Sequence, residues 1–258
     1  MYTLGIDIGS TTSKCVVLKN GEHIIATSLQ IGGLGMEGPE KALNEIWRKS
    51  GLHFGEISKT IVTGYGRKNY KKTDGEMSEL TCHALGGKFI YPDLRTIIDI
   101  GGQDAKIISL DQKGNMLNFV MNDKCAAGTG RFLDVMSSIL QIKVNELECL
   151  AMQSNNPASI SSTCTVFAES EVISQMALGV KRCDLVAGIC ESVAVRVATL
   201  ARRVGVVEPV CMSGGVAKNG AVRRGLERNL NVEIYCDPLA QYFGAIGAAV
   251  CAWKKMKN

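Results

Sequence analysis

The 258 residues are 46% hydrophobic and 5% aromatic and carry a net charge of +4 spread along the chain. That length and apolar content support one large or two modest folded domains and exclude a disordered chain. No apolar run approaches the ~20 residues of a membrane span, the start lacks a basic signal-peptide region, and few aromatics are available to stack on bases, so a cytoplasmic protein without membrane or nucleic-acid partners is expected.

Residues 6–18, IDIGSTTSKCVVL, and 98–110, IDIGGQDAKIISL, repeat one pattern at an offset of 92. Asp7 matches Asp99, Gly9 matches Gly101, Lys14 matches Lys106 and Leu18 matches Leu110. Each copy alternates apolar residues into an Asp-X-Gly turn and leaves through small polar residues into a second apolar strand, which predicts a β-hairpin. Two such hairpins predict two similar α/β domains with a cleft between them. A tip of this kind suits phosphate. Gly9 lets the backbone come close, Ser10, Thr11, Thr12 and Ser13 supply hydroxyl and N–H groups, and Lys14 offers a point charge. Asp7 and Asp99, facing each other across the cleft, suit a hydrated Mg²⁺, with Gln103 and Asp104 placed to meet the metal or the attacking water.

Between the copies, residues 38–51 read as a helix, 60–66 as a strand and turn, and 77–90 as a connecting helix in which His83 is a packed or capping residue. His23 and His53 have no partner legible in the sequence. After the second copy, 122–136 (NDKCAAGTGRFLDVM) places Cys125 ahead of a helical stripe of Phe132, Val135, Met136, Ile139 and Leu140. Residues 160–180 repeat the design: Ser161, Ser162 and Thr163 are cap residues, Cys164 lies at the helix start, and Val166, Ile173, Met176 and Val180 recur near helical spacing. Glu169 and Glu171 read as surface charges of that helix or as groups that shape the surroundings of Cys164. Residues 210–226 run strand, Ser213-Gly214-Gly215, helix, a turn that lets backbone approach a ribose or α-phosphate. In 240–253, Gly244, Ala245, Gly247 and Ala248 form a small-residue helix face, and Lys254, Lys255 and Lys257 a solvated helix end.

Ten cysteines in a cytosolic chain are expected to stay reduced. Eight read as small core or surface residues; Cys183 and Cys190 share a helix face, and no CxxC occurs. Cys125 and Cys164 differ, because a helix N-terminus supports anionic sulfur. An all-thiolate [4Fe–4S] cluster takes four thiolates. A two-fold homodimer presents every residue twice, so the two cysteines read as half of such a site.

Taken in order, the two hairpins, the Gly-Gly turn and the small-residue helix resemble the phosphate, adenosine and connecting motifs of the acetate kinase, sugar kinase, Hsp70 and actin superfamily. That resemblance implies a two-domain α/β (ribonuclease H-like) fold with ATP/ADP and Mg²⁺ in an interdomain cleft, Gly101, Gly102, Lys218 and Gln241 joining the nucleotide contacts. The domains expected are 1–94 plus 237–258, and 95–236 carrying the cluster cysteines. A P-loop is excluded, since no G-x-x-x-x-G-K-[ST] occurs. MNDKCAAGTGRFLDVM and SSTCTVFAESEVIS, with TGYGR (63–67), MSELTCHA (77–84) and IIDIGGQD (97–104), closely resemble the ATP-dependent activators (component A) of 2-hydroxyacyl-CoA dehydratases, of the BadF/BadG/BcrA/BcrD type. The resemblance implies a homodimer bridged by one oxygen-sensitive [4Fe–4S] cluster on Cys125 and Cys164. It further implies ATP hydrolysis driving an electron from ferredoxin or flavodoxin onto an iron–sulfur dehydratase. Within the family, a double-cubane-cluster protein or a benzoyl-CoA reductase is an alternative acceptor. Outside it stand a small-molecule kinase and a non-enzymatic ATP switch, neither of which gives the two cysteines a role.

Overall fold

The computed structural model describes residues 1–33, 35–161 and 164–257. In chain order these form β1 (Tyr2–Ile8), β2 (Thr12–Lys19), β3 (His23–Ile31), α1 (Gly38–Ser50), β4 (Ile57–Thr63), α2 (Glu79–Ile90), β5 (Thr96–Ile100), β6 (Ala105–Leu110) and β7 (Met116–Asn122). There follow α3 (Gly130–Ile139), α4 (Leu147–Ala151), α5 (Thr165–Ala177), α6 (Arg182–Arg202), β8 (Val210–Ser213), α7 (Gly220–Leu230), β9 (Ile234–Tyr235) and α8 (Phe243–Lys257). The fold is α/β and divides into two compact units: Met1–Leu94 with Leu110–Met116 and Leu239–Asn258, and Arg95–Ser109 with Leu117–Pro238.

The first unit is built on a sheet ordered β3-β2-β1-β4, with β1 antiparallel to β2 and parallel to β4. β1 and β2 are buried almost throughout, as expected for strands covered on both faces. α1 starts with Pro39 in its first turn, ends at a left-handed Gly51, and buries Ala42, Leu43 and Ile46, the punctuation and stripe its sequence specifies. The Ser78 hydroxyl caps α2 by accepting from the Thr81 N–H at 3.2 Å. The small-residue face of α8 packs on α2 and β1, and the Thr3 hydroxyl donates to the Ala249 carbonyl at 3.0 Å.

The second unit repeats the antiparallel-then-parallel scheme in a sheet ordered β7-β6-β5-β8-β9. Its β5, β6 and β8 are fully buried, whereas the edge strand β7 leaves Leu117, Phe119 and Met121 exposed. α3 buries Phe132, Leu133 and Met136, close to the expected stripe. α5 is a helix as expected, but turned the other way. Ala168 and Val172 are its buried residues, while Val166, Ile173 and Met176 face outward and Val180 lies beyond its end. β3 follows a positive-φ Asn20-Gly21 turn and β7 a turn at Gly114, turn signals present in the sequence that the expected elements did not use.

Candidate functional site

The repeat becomes a shared local geometry. Asp7 sits opposite Lys14 across β1 and β2, and Asp99 opposite Lys106 across β5 and β6. Each tip closes with the same bond, Gly9 N–H to the Thr12 carbonyl at 3.0 Å and Gly101 N–H to the Asp104 carbonyl at 2.9 Å. Cross-strand neighbours touch, which is why a spacing of seven residues pairs each carboxylate with its lysine.

The two aspartates then differ. Asp7 is 4% exposed; its Oδ2 takes the Lys14 ammonium at 3.2 Å, and its Oδ1, equally buried, has no hydrogen-bond partner among the described residues. A buried carboxylate oxygen without a donor costs about 1–3 kcal/mol or more, and such groups mark places where an ion or water belongs. Asp99 is bonded on both sides: Oδ1 accepts from the Ser213 hydroxyl at 2.8 Å and Oδ2 lies 3.4 Å from Lys106 Nζ. Lys106, its side chain 3% exposed, also pairs with Asp104 Oδ2 at 2.7 Å. The expected site residues thus split by surroundings. Ser10, Thr11 and Gln103 are exposed and Thr12, Gly101 and Gly102 partly so. Ser13 is buried, its hydroxyl donating to the Gly32 carbonyl at 2.8 Å, and Ser213 is committed to Asp99. Gly214 has φ +86°, and a Cβ there would overlap the Ile100 carbonyl, so the turn after β8 needs glycine. Gly215 and Lys218 are exposed and Gln241 is partly exposed in a short turn ahead of α8.

The Cys125 loop is tied internally. Asn122 Oδ1 accepts from the Cys125 N–H at 3.2 Å, and Asn122 Nδ2 donates to the carbonyls of Cys125 (2.8 Å) and Ala127 (3.2 Å). The dipole of α3 does not serve this sulfur as expected: the helix begins five residues later, and its Gly130 and Arg131 N–H groups donate to the Gly101 and Gly102 carbonyls, each at 2.8 Å. Instead the Arg196 guanidinium, from α6, lies 3.5 Å from Cys125 Sγ, a contact without a sequence signal. Cys164 does cap α5, with the Ala168 N–H on its carbonyl at 2.9 Å. Of the expected cap residues, Ser162 and Thr163 lie outside the described residues. Ser161 is held by Glu171, whose carboxylate accepts from its N–H at 3.1 Å, so Glu171 is more than a surface charge. α3 and α5 pack against each other, and α6 touches both. A cavity of about 750 Å³ lies beside this loop, lined by Asn122, Gly128, Ser161, Arg196 and Arg203 among others.

Burial sorts the remaining thiols. The thiols of Cys15, Cys82 and Cys190 are pushed up to about 12 by desolvation, and that of Cys211 well above its ordinary value. Cys149 is exposed, and Cys125 and Cys164 are half-buried. Since the thiolate is the reactive form, iodoacetamide at about pH 8 should label Cys125, Cys149 and Cys164 in folded metal-free protein and spare those four buried thiols. Peptide mapping by mass spectrometry checks this, and early labelling of Cys15 or Cys211 would contradict the burial order.

Residues 4–252 match the model of the BadF/BadG/BcrA/BcrD ATPase family. The chain belongs to that ATPase family. It is 54% identical over 256 residues to the (R)-2-hydroxyglutaryl-CoA dehydratase activating ATPase of Acidaminococcus fermentans, covering 99% of this chain and 98% of the relative. A solved activator of the 2-hydroxyisocaproyl-CoA dehydratase from Clostridium difficile, with bound ADPNP, superposes with a TM-score of 0.98 at 54% identity, covering 100% of this chain and 96% of that one. A glucokinase from Streptomyces griseus superposes at 0.58 with 15% identity, covering 98% of this chain and 100% of that one. This places the BadF/BadG/BcrA/BcrD ATPase family chain in the actin, sugar kinase and Hsp70 fold group.

Proposed function

We propose that this ATPase works as a homodimeric activator that uses ATP to drive a low-potential electron onto an iron–sulfur enzyme of the 2-hydroxyacyl-CoA dehydratase type. The carrying observation is the pair Cys125 and Cys164, half-buried on the segments that lead into two mutually packed helices. Two chains related by a two-fold axis offer four thiolates, the donor number and type a [4Fe–4S] cluster requires. Thr165 Oγ1, next to Cys164, is buried with no partner among the described residues, as fits a segment completed by further groups. The outward apolar side chains of α5, Val166, Phe167 and Ile173, form a patch of the kind that a second copy covers. Bound there, a cluster would supply one-electron storage, taking the electron from ferredoxin or flavodoxin.

This chain's own residues supply the nucleotide chemistry. The tips around Gly9 and Gly101 present backbone to phosphate oxygens, with Ser10, Thr11 and Thr12 adding hydroxyls. The open Oδ1 of Asp7 suits a water of a hydrated Mg²⁺. Asp99, fixed by Ser213 and Lys106, keeps a constant negative field near the second tip, and exposed Gln103 is free to orient an attacking water. Gly214 and Gly215 admit the nucleoside side.

The test is iron and acid-labile sulfide on anaerobically purified protein, with EPR after dithionite reduction. About four of each per dimer, with a reduced signal that changes on adding Mg-ATP and is lost in air, is expected. Protein that hydrolyses ATP but takes up no iron on reconstitution would sink the electron-transfer reading.

A further inference from the structure

We propose that Arg196 is a positioning residue that holds a fixed positive charge against the Cys125 sulfur and thereby raises the reduction potential of the metal centre, an inference that rests on the cluster reading above. Arg196 Nη2 stands 3.5 Å from Cys125 Sγ, a hydrogen-bonding distance to sulfur, and both side chains are partly buried. The contact is built from both sides. Gly128, three residues after Cys125, has φ +87°, and a Cβ at that position would lie 3.2 Å from Arg196 Cδ and 3.4 Å from its Cγ. The loop is therefore shaped to seat the arginine stem, while Asn122 pins the backbone on either side of the sulfur. The neighbouring cation, Lys124, is different: its side chain is 87% exposed and paired with Asp123 at 3.6 Å, so water screens it. The proposal turns on the positive charge beside the sulfur, which a lysine at the same place would also supply.

Reduction adds one electron, with no bond made or broken and no proton required. The added negative charge is spread over the sulfurs, and donors and positive charge beside them favour the reduced state. A two-fold dimer brings two such guanidinium groups, one to each Cys125. α6, which carries Arg196, also touches α3 and α5, so a movement of α6 relative to the loop would change this term directly.

The experiment compares anaerobically reconstituted wild type, R196M and R196K in dithionite titrations with viologen mediators, read by the reduced-state EPR signal. Equal iron content in all three is expected, with the R196M midpoint more negative than wild type and R196K close to wild type. An R196M midpoint equal to wild type overturns the proposal. If R196M holds no iron, R196K decides: iron restored at the wild-type potential upholds the charge requirement, and iron not restored assigns the arginine to packing and overturns it. Wild type that holds no iron overturns the cluster reading, and this proposal with it, before any variant is compared.

Discussion

Replacing Asp7 by Asn should leave the protein folded and reduce ATP hydrolysis by on the order of 10²–10³-fold. Asn keeps the shape and removes the negative charge. A metal at a transferring phosphate contributes several kcal/mol of charge stabilisation, and each ~1.4 kcal/mol is tenfold in rate. The buried Oδ1, without a donor among the described residues, is where that charge is open, and Lys14 on Oδ2 orients the carboxylate without closing it. The rate should fall together with the apparent Mg²⁺ affinity, measured by phosphate release against Mg²⁺ concentration, with circular dichroism to verify folding. Unchanged turnover would make Asp7 a structural partner of Lys14 and remove it from the catalytic set.

Lys106→Met should act in the opposite way, on stability first. Lys106 is buried between Asp99 and Asp104, and removing it leaves two buried carboxylates without their cation. Breaking a buried pair in this manner costs about 3–5 kcal/mol, out of a total of about 5–15 kcal/mol for a typical protein. In a protein of this size that is roughly a 10 °C drop in the melting temperature. Calorimetry and urea titration measure it. An unchanged midpoint would mean that the two carboxylates are satisfied by other groups, and the ion-pair account of this hairpin would fail. A Lys14→Met variant should cost less, because Lys14 is more exposed and pairs with one carboxylate.

What the sequence made legible is what local chemistry determines. The hairpins at 6–18 and 98–110 could be read because alternation and an Asp-X-Gly turn act within a few residues, and α1 because its Pro39, apolar stripe and Gly51 act in the same range. The orientation of α5 could not be read. Both its stripes are apolar, and which one goes inside depends on the packing of α3 and α6. The hydroxyls of Ser13 and Ser213 looked like nucleotide groups, yet each is held by a partner 19 or 114 residues away. Arg196 and Cys125 are separated by 71 residues, and no spacing rule connects a helix-surface arginine to a distant sulfur. Lys106 was visible as a repeat match, but its second carboxylate appears only when the hairpin closes.

The start of α3 is bolted to the second hairpin tip, through Gly130 and Arg131 N–H groups on the Gly101 and Gly102 carbonyls. Such a joint has little slack, because two short parallel hydrogen bonds resist both sliding and hinging. Under the proposed function, a phosphate that shifted this tip would therefore shift the helix's first turn, and the adjoining Cys125 loop after it. In that reading, this pair of bonds joins the place where a phosphate would press to the place where a sulfur would feel it.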